Sequence, residues 1–125
     1  MTLVLDAGAL IALERNERPM WTRLKALQAA GDVPVTHGGV LGQAWLGGAR
    51  QARLATAVEG ITVESIDRAL GRAASKLLGA ARRSDVLDAC LVLLAGDGDE
   101  IVTADRHDIE VLAAATGRHV ELIRP

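Results

Sequence analysis

The chain has 125 residues and a formal net charge of -2, with 14 Lys and Arg against 16 Asp and Glu. That length gives one ordinary domain with room for a core, and the balance lacks the positive excess of a broad nucleic-acid-binding surface. Half of the residues are hydrophobic, with two Trp and no Phe or Tyr, and Cys90 is the only cysteine. The core must therefore be aliphatic, and an intrachain disulfide framework or thiolate zinc site is excluded, which fits a reducing compartment.

Thr2 to Leu5 is a short apolar run suited to a buried parallel strand, and Asp6 ends it. Ala7 to Leu13 opens a helix, and Glu14 to Arg18 is a solvated break. Pro19 suits a helix first turn, and Trp21, Leu24 and Leu27 then recur at helical spacing. Gly31-Asp32 stops that helix, and Val33 to Val35 is the second predicted strand, shortened by Pro34. Thr36 is the predicted N-cap of a helix carrying Val40, Leu41, Ala44 and Trp45, broken by Gly47-Gly48. Ala49 to Val58 carries Arg50, Gln51 and Arg53 on the next helix, and Ile61 to Glu64 alternates as a third strand.

Asp67 to Ala81 reads as a long helix with Leu70, Ala74, Leu77 and Leu78 inward, closed by Arg82-Arg83 where cations suit the macrodipole. Ser84 is the predicted N-cap of the following helix, whose first turns hold Asp85 and Asp88. Gly96 to Asp99 turns into a fourth strand, Glu100 to Thr103. A helix from Asp105 to Thr116 stops at Gly117, and His119 to Ile123 is the last strand. This order predicts an α/β fold, a parallel sheet of about five strands with helices on both faces, in a single domain spanning 1–125. The opening M-T-L-V-L-D has no basic segment of a signal peptide, and the longest apolar run, Ala89 to Ala95, is too short to cross a bilayer. A soluble cytoplasmic protein with no membrane contact is expected.

Carboxylates mark the chemistry. Asp6 follows the first strand, Asp105 follows the fourth, and ligands of such folds bind in the crevice at strand C-terminal ends. Asp88 stands directly before the apolar run Ala89 to Ala95, where a carboxylate needs a partner. Several acids in one crevice raise each other's pKa. A hard divalent cation removes that penalty, activates a water and stabilises the leaving oxygen of a phosphodiester. Spacing alone leaves the alternative open, because Asp6 and Asp105 have the positions of helix N-caps and Asp85 and Asp88 suit a helix dipole.

The segments V-L-D-A-G-A-L-I-A-L, S-D-V-L-D-A-C-L-V-L-L-A and I-V-T-A-D-R-H-D resemble the motifs of PIN-domain ribonucleases, specifically the VapC toxins of toxin–antitoxin modules. The resemblance runs over essentially the whole chain. It implies a PIN fold and an endoribonuclease site dependent on Mg²⁺ or Mn²⁺, cutting structured RNA such as tRNA or ribosomal RNA. It also implies homodimers and a small antitoxin that blocks the site. Asp6, Asp88 and Asp105 match the family's metal-binding aspartates. Thr103 matches the hydroxyl residue supporting Asp105, and Asp108 a more variable acidic position.

Two departures stand out. Gln43, in V-L-G-Q-A-W, replaces the family's usual second-motif glutamate. It can coordinate or orient a water but brings no charge, so it joins the three aspartates as a catalytic candidate of a different kind. Gly8 stands where the family commonly has a small polar residue. Glu14 and Glu59 are the nearby acids that would compensate for Gln43. Arg50 and Arg53 follow the Gln43 helix and are the preferred phosphate-gripping residues, ahead of Arg15, Arg18, Arg82 and Arg83. An apolar groove for the antitoxin is expected between the helices around Trp21 to Leu27 and Trp45 to Leu54. His37, His107 and His119 show no ligand spacing, and exposed or capping roles are expected. A PIN-like module that binds its partner without efficient cleavage is the alternative. A phospho-acceptor receiver domain lacks its paired acids and its lysine here.

Overall fold

Three consecutive apolar residues, all buried, make the central strand β1 (Leu3–Leu5). A strand covered on both faces needs no polar alternation, as in parallel sheets. The computed structural model describes residues 1–47 and 51–125; Arg50 lies, with Gly48 and Ala49, outside the described residues. Along the chain follow α1 (Ala7–Glu14), α2 (Arg18–Ala29), β2 (Val35–His37), α3 (Gly38–Ala44), α4 (Ala52–Val58), β3 (Thr62–Glu64), α5 (Arg68–Ala81), α6 (Val86–Leu93), β4 (Glu100–Val102), α7 (Arg106–Thr116) and β5 (Glu121–Ile123). The five strands form one parallel sheet in the order β3-β2-β1-β4-β5. The expected α/β architecture is thus present.

The strand order fixes where a site can form. The chain steps outward from β1 to β2 and β3, then returns past β1 to lay down β4 and β5 on the other side. Right-handed crossovers taken in opposite directions place their helices on opposite faces. The packing agrees: α1 contacts α2, α3 and α4, whereas α5, α6 and α7 contact one another. The direction reverses between β1 and β4, so the ligand crevice of this topology opens beyond Leu5 and Val102.

Several boundaries differ from the sequence expectation. The second strand is Val35–His37 rather than Val33–Val35. Val33 is exposed and Pro34 precedes the ladder, its carbonyl accepting from Thr62 N–H at 2.9 Å. The polar residues Thr36 and His37 are buried instead, because each is hydrogen-bonded. Thr36 Oγ1 donates to the Leu5 carbonyl at 2.7 Å. It is therefore a strand residue, and His37 caps α3 by accepting from Val40 N–H at 3.2 Å. Asp85, not Ser84, caps α6, accepting from Asp88 N–H at 3.1 Å. Gln51 precedes α4 rather than lying in it; its buried amide donates to Ala44 O at 2.8 Å and accepts from Gly47 N–H at 2.7 Å.

The N-terminus of α1 lies unusually close to the β4–α7 turn. A Cβ at Gly8 would stand 2.6 Å from Ala104 Cβ and 3.2 Å from Asp6 Oδ1. The departure at Gly8 thus has a steric cause in this chain: Ala104 fills the space a side chain would take. Gly8→Ala is expected to destabilise the fold by about 1–3 kcal/mol through overpacking, despite the better helix propensity of Ala. Gly8→Ala combined with Ala104→Gly should recover most of that loss, as read from urea unfolding midpoints.

Candidate metal centre

Asp6 sits at the reversal point and uses both carboxylate oxygens. Oδ1 accepts from Ala9 N–H at 3.0 Å and so caps α1; Oδ2 accepts from Ala104 N–H at 3.1 Å in the turn after β4. Its own N–H donates to Val102 O at 3.0 Å. The cap reading of Asp6 is therefore present in the structure, and the residue also links β1 to β4. Each oxygen keeps a second lone pair for another partner.

Thr103, buried directly after β4, accepts from Asp105 N–H through Oγ1 at 3.0 Å. That bond holds the backbone of Asp105, the residue before α7, whose own carboxylate makes no capping bond. Asp105 and Asp108 are three residues apart at the helix start and share one side of it. Asp88 comes from the first turn of α6, whose next four residues, Ala89 to Val92, are all buried. Oxygens of Asp88, Asp105 and Asp108 lie within 4.8 Å of one another. Two oxygens on one octahedral Mg²⁺ are about 2.9 Å apart when adjacent and about 4.2 Å when opposed, so a small closure brings these three onto one ion.

Electrostatics point the same way. Asp88 is pushed up to about 6, first by partial burial and then by the charges of Asp85, Asp105, Asp108 and Asp6. Asp6 thus acts on Asp88 although it stands outside the group of three. Among the described residues one cation meets this charge: Arg83 Nε lies 3.5 Å from Asp108 Oδ1, too poorly aligned for a hydrogen bond. That ties Arg83 to the acidic cluster. His37 braces the cluster from behind. Its buried ring contacts Leu87 O through Nε2 at 2.9 Å while Nδ1 accepts from Val40 N–H. Those partners require the neutral Nε2–H form, and burial holds its pKa below the usual histidine value. The start of α3 is thereby fixed to the residue before Asp88.

Gln43 is exposed on α3, one turn beyond Gly39 and on the same side. A Cβ at Gly39 would meet Leu87 of α6 at 2.5 Å, so this side of α3 looks towards the start of α6. Gln43 makes no hydrogen bond to the carboxylates among the described residues. Glu14 is engaged elsewhere, accepting from Leu54 N–H at 2.8 Å near the start of α4. Glu59 is exposed at the end of α4. Arg53 lies in another concavity, with Arg18, Trp21 and Lys25. Leu24 and Leu54 are buried in the core, and Trp45 (39 % exposed) and Leu46 (86 %) are the exposed large apolar residues of the expected groove among the described residues. No helix among the described residues is long and apolar enough to cross a membrane.

No family model matches the chain, and no curated protein is detectably similar to it.

The sign of the Asp88 shift makes metal binding testable by stability. Its pKa rises on folding from 3.8 to about 6, so the protonated form favours the fold below pH 3.8 and that contribution disappears as pH rises through about 6. In chelator, Asp88→Asn should therefore melt higher than the wild type at about pH 7.5, with the gap closing towards about pH 4. Adding Mg²⁺ at the higher pH should raise the melting temperature of the wild type and leave that of Asp88→Asn unmoved.

Proposed function

We propose that this chain is a PIN-like endoribonuclease of the VapC toxin type, dependent on Mg²⁺ or Mn²⁺ and cleaving structured RNA, tRNA or ribosomal RNA being the expected classes. The observation that carries this reading is the convergence of Asp88, Asp105 and Asp108 at the topological switch point, with Asp88 pushed up to about 6 by burial and its neighbours' charge. That excess of negative charge is what a hard divalent cation relieves.

Asp88, Asp105 and Asp108 would hold the ion, and Asp6 adds a fourth negative charge through its remaining lone pairs. The chemistry such an ion would supply there is a lowered pKa for a bound water and neutralised charge on the scissile phosphodiester. Thr103 keeps Asp105 in position by accepting its N–H. Arg83 tempers the charge of Asp108. Gln43, an amide with donors and an acceptor, orients a water without deprotonating it. Arg53, in its separate concavity, contacts RNA phosphates at a distance from the acids, and Arg50 is the second phosphate-gripping residue of this reading. In this reading the protein works in the cytoplasm as a homodimer, and a small antitoxin covers the site.

The second reading is a PIN-like module that binds its partner without efficient cleavage. The neutral, unbonded Gln43 supports it, as do the exposed Trp45 and Leu46 just beyond the same helix. Total RNA incubated with the purified chain separates the two. The nuclease reading expects cleavage in Mg²⁺ or Mn²⁺ that stops in chelator and falls by roughly 100-fold or more in Asp88→Asn. If the wild type cuts no better than Asp88→Asn, the binding module is the correct reading. In that case Gln43→Glu should restore metal-dependent cleavage, which would identify Gln43 as the residue that silenced the site.

A further inference from the structure

Beside the carboxylates, on the other flank of the β4–α7 turn, lies an open groove of about 650 Å³. One stripe of α1 forms a wall, with Gly8, Ile11 and Arg15 at helical spacing. Thr103, Ala104 and Arg106 of the turn line it as well, with Arg124 and Pro125 from beyond β5. Arg15, Arg106 and Arg124 therefore come from three distant parts of the chain and converge on one cavity. Glu17 is the acidic side chain in its wall.

These guanidinium groups have no partner among the described residues. Among the described residues, the arginine side chains that bond to protein are Arg53, Arg83 and Arg118; the three in the groove form neither hydrogen bond nor ion pair. In a chain with net charge -2, three unpaired guanidiniums around one cavity raise a local positive potential, and planar N–H forks match phosphate oxygens. The groove also shares residues with the acidic centre: Ala104 N–H holds Asp6, and Thr103 Oγ1 holds the Asp105 backbone. A strand seated in the groove would run directly past the carboxylates.

The geometry points to Arg15, Arg106 and Arg124 as a phosphodiester-binding groove that fixes the path of single-stranded RNA on one side of the acidic centre. The nature of the ligand rests on the nuclease reading; the groove itself does not. Arginine at such a site grips the backbone without reading sequence, so it sets position and affinity rather than base preference.

The test is fluorescence anisotropy of a labelled, mixed-sequence single-stranded RNA with the full chain in chelator, where cleavage is excluded. Arg15→Gln, Arg106→Gln and Arg124→Gln should each weaken binding about 3- to 10-fold and reduce the salt slope by about 0.7. Arg15→Lys and the equivalent lysine variants should retain the slope. Arg68→Gln and Arg72→Gln, exposed on α5, should change affinity by less than about twofold. Equal losses from the α5 variants, no loss from the groove variants, or no RNA binding at all would each overturn the groove. Competition by polyglutamate as strong as by RNA would instead mark it as a site for an acidic protein segment. Arginine-dependent binding without metal-dependent cleavage would leave the groove standing and sink the nuclease. Cleavage with binding indifferent to the three arginines would do the reverse.

Discussion

The two hydrogen bonds accepted by Asp6 are the constraint on which the site depends. One oxygen starts α1 and the other holds the turn after β4. The carboxylate thus spans the place where the sheet reverses direction. Any parallel sheet of this order leaves a crevice there, but the crevice acquires a defined shape only if the two chain segments leaving it are held at a fixed separation. Asp6 sets that separation, and the absence of a side chain at Gly8 allows it to be as small as it is. Thr103 then carries the constraint one step further, to the backbone of Asp105.

Helix α6 supplies the opposing requirement. Ala89 to Val92 are fully buried, so the helix is anchored on all sides and its first turn cannot move far. Asp88, on that turn, is held half-buried among other acids, with its pKa pushed up to about 6. A carboxylate so placed weakens the empty fold at neutral pH, and it does not cap the helix, which Asp85 does. Local rules broken without a structural gain are expected at functional sites. The neutral, buried His37 belongs to the same arrangement: it fixes α3 to the Leu87 carbonyl without adding charge beside Asp88.

Much of this was legible in the sequence, for identifiable reasons. Strands β1 and β4 are short, largely apolar runs with an aspartate soon after, and helices α5 and α7 carry clear stripes, each after an Asp, so their order yields the fold class. The second strand was misplaced because Thr36 and His37 look like turn residues; their burial depends on partners, Leu5 and Leu87, that are distant in sequence. The cap of α6 slipped by one residue because Ser84 and Asp85 have equal claim from the chain alone. From sequence Asp108 has the position of an accessory, yet it stands within reach of Asp88 and Asp105. Its helical spacing from Asp105 was the available signal. Arg106 and Arg124 carried no signal at all, since only the sheet order brings the end of β5 beside α1.

The separation of charge around one turn follows from helix geometry. Successive residues at a helix start are rotated by about 100°, whereas residues three apart nearly align. Asp105 and Asp108 therefore stand beside Asp88 of α6, and Arg106, between them in sequence, is turned off that side and lines the groove shared with α1. The same four residues can present an acidic face to a cation and a basic face to an anion. Net charge conceals such an arrangement, because the two faces cancel in the sum. A small, slightly acidic domain can thus offer both poles that a metal-assisted reaction on a polyanion requires, without the basic surface that composition had excluded.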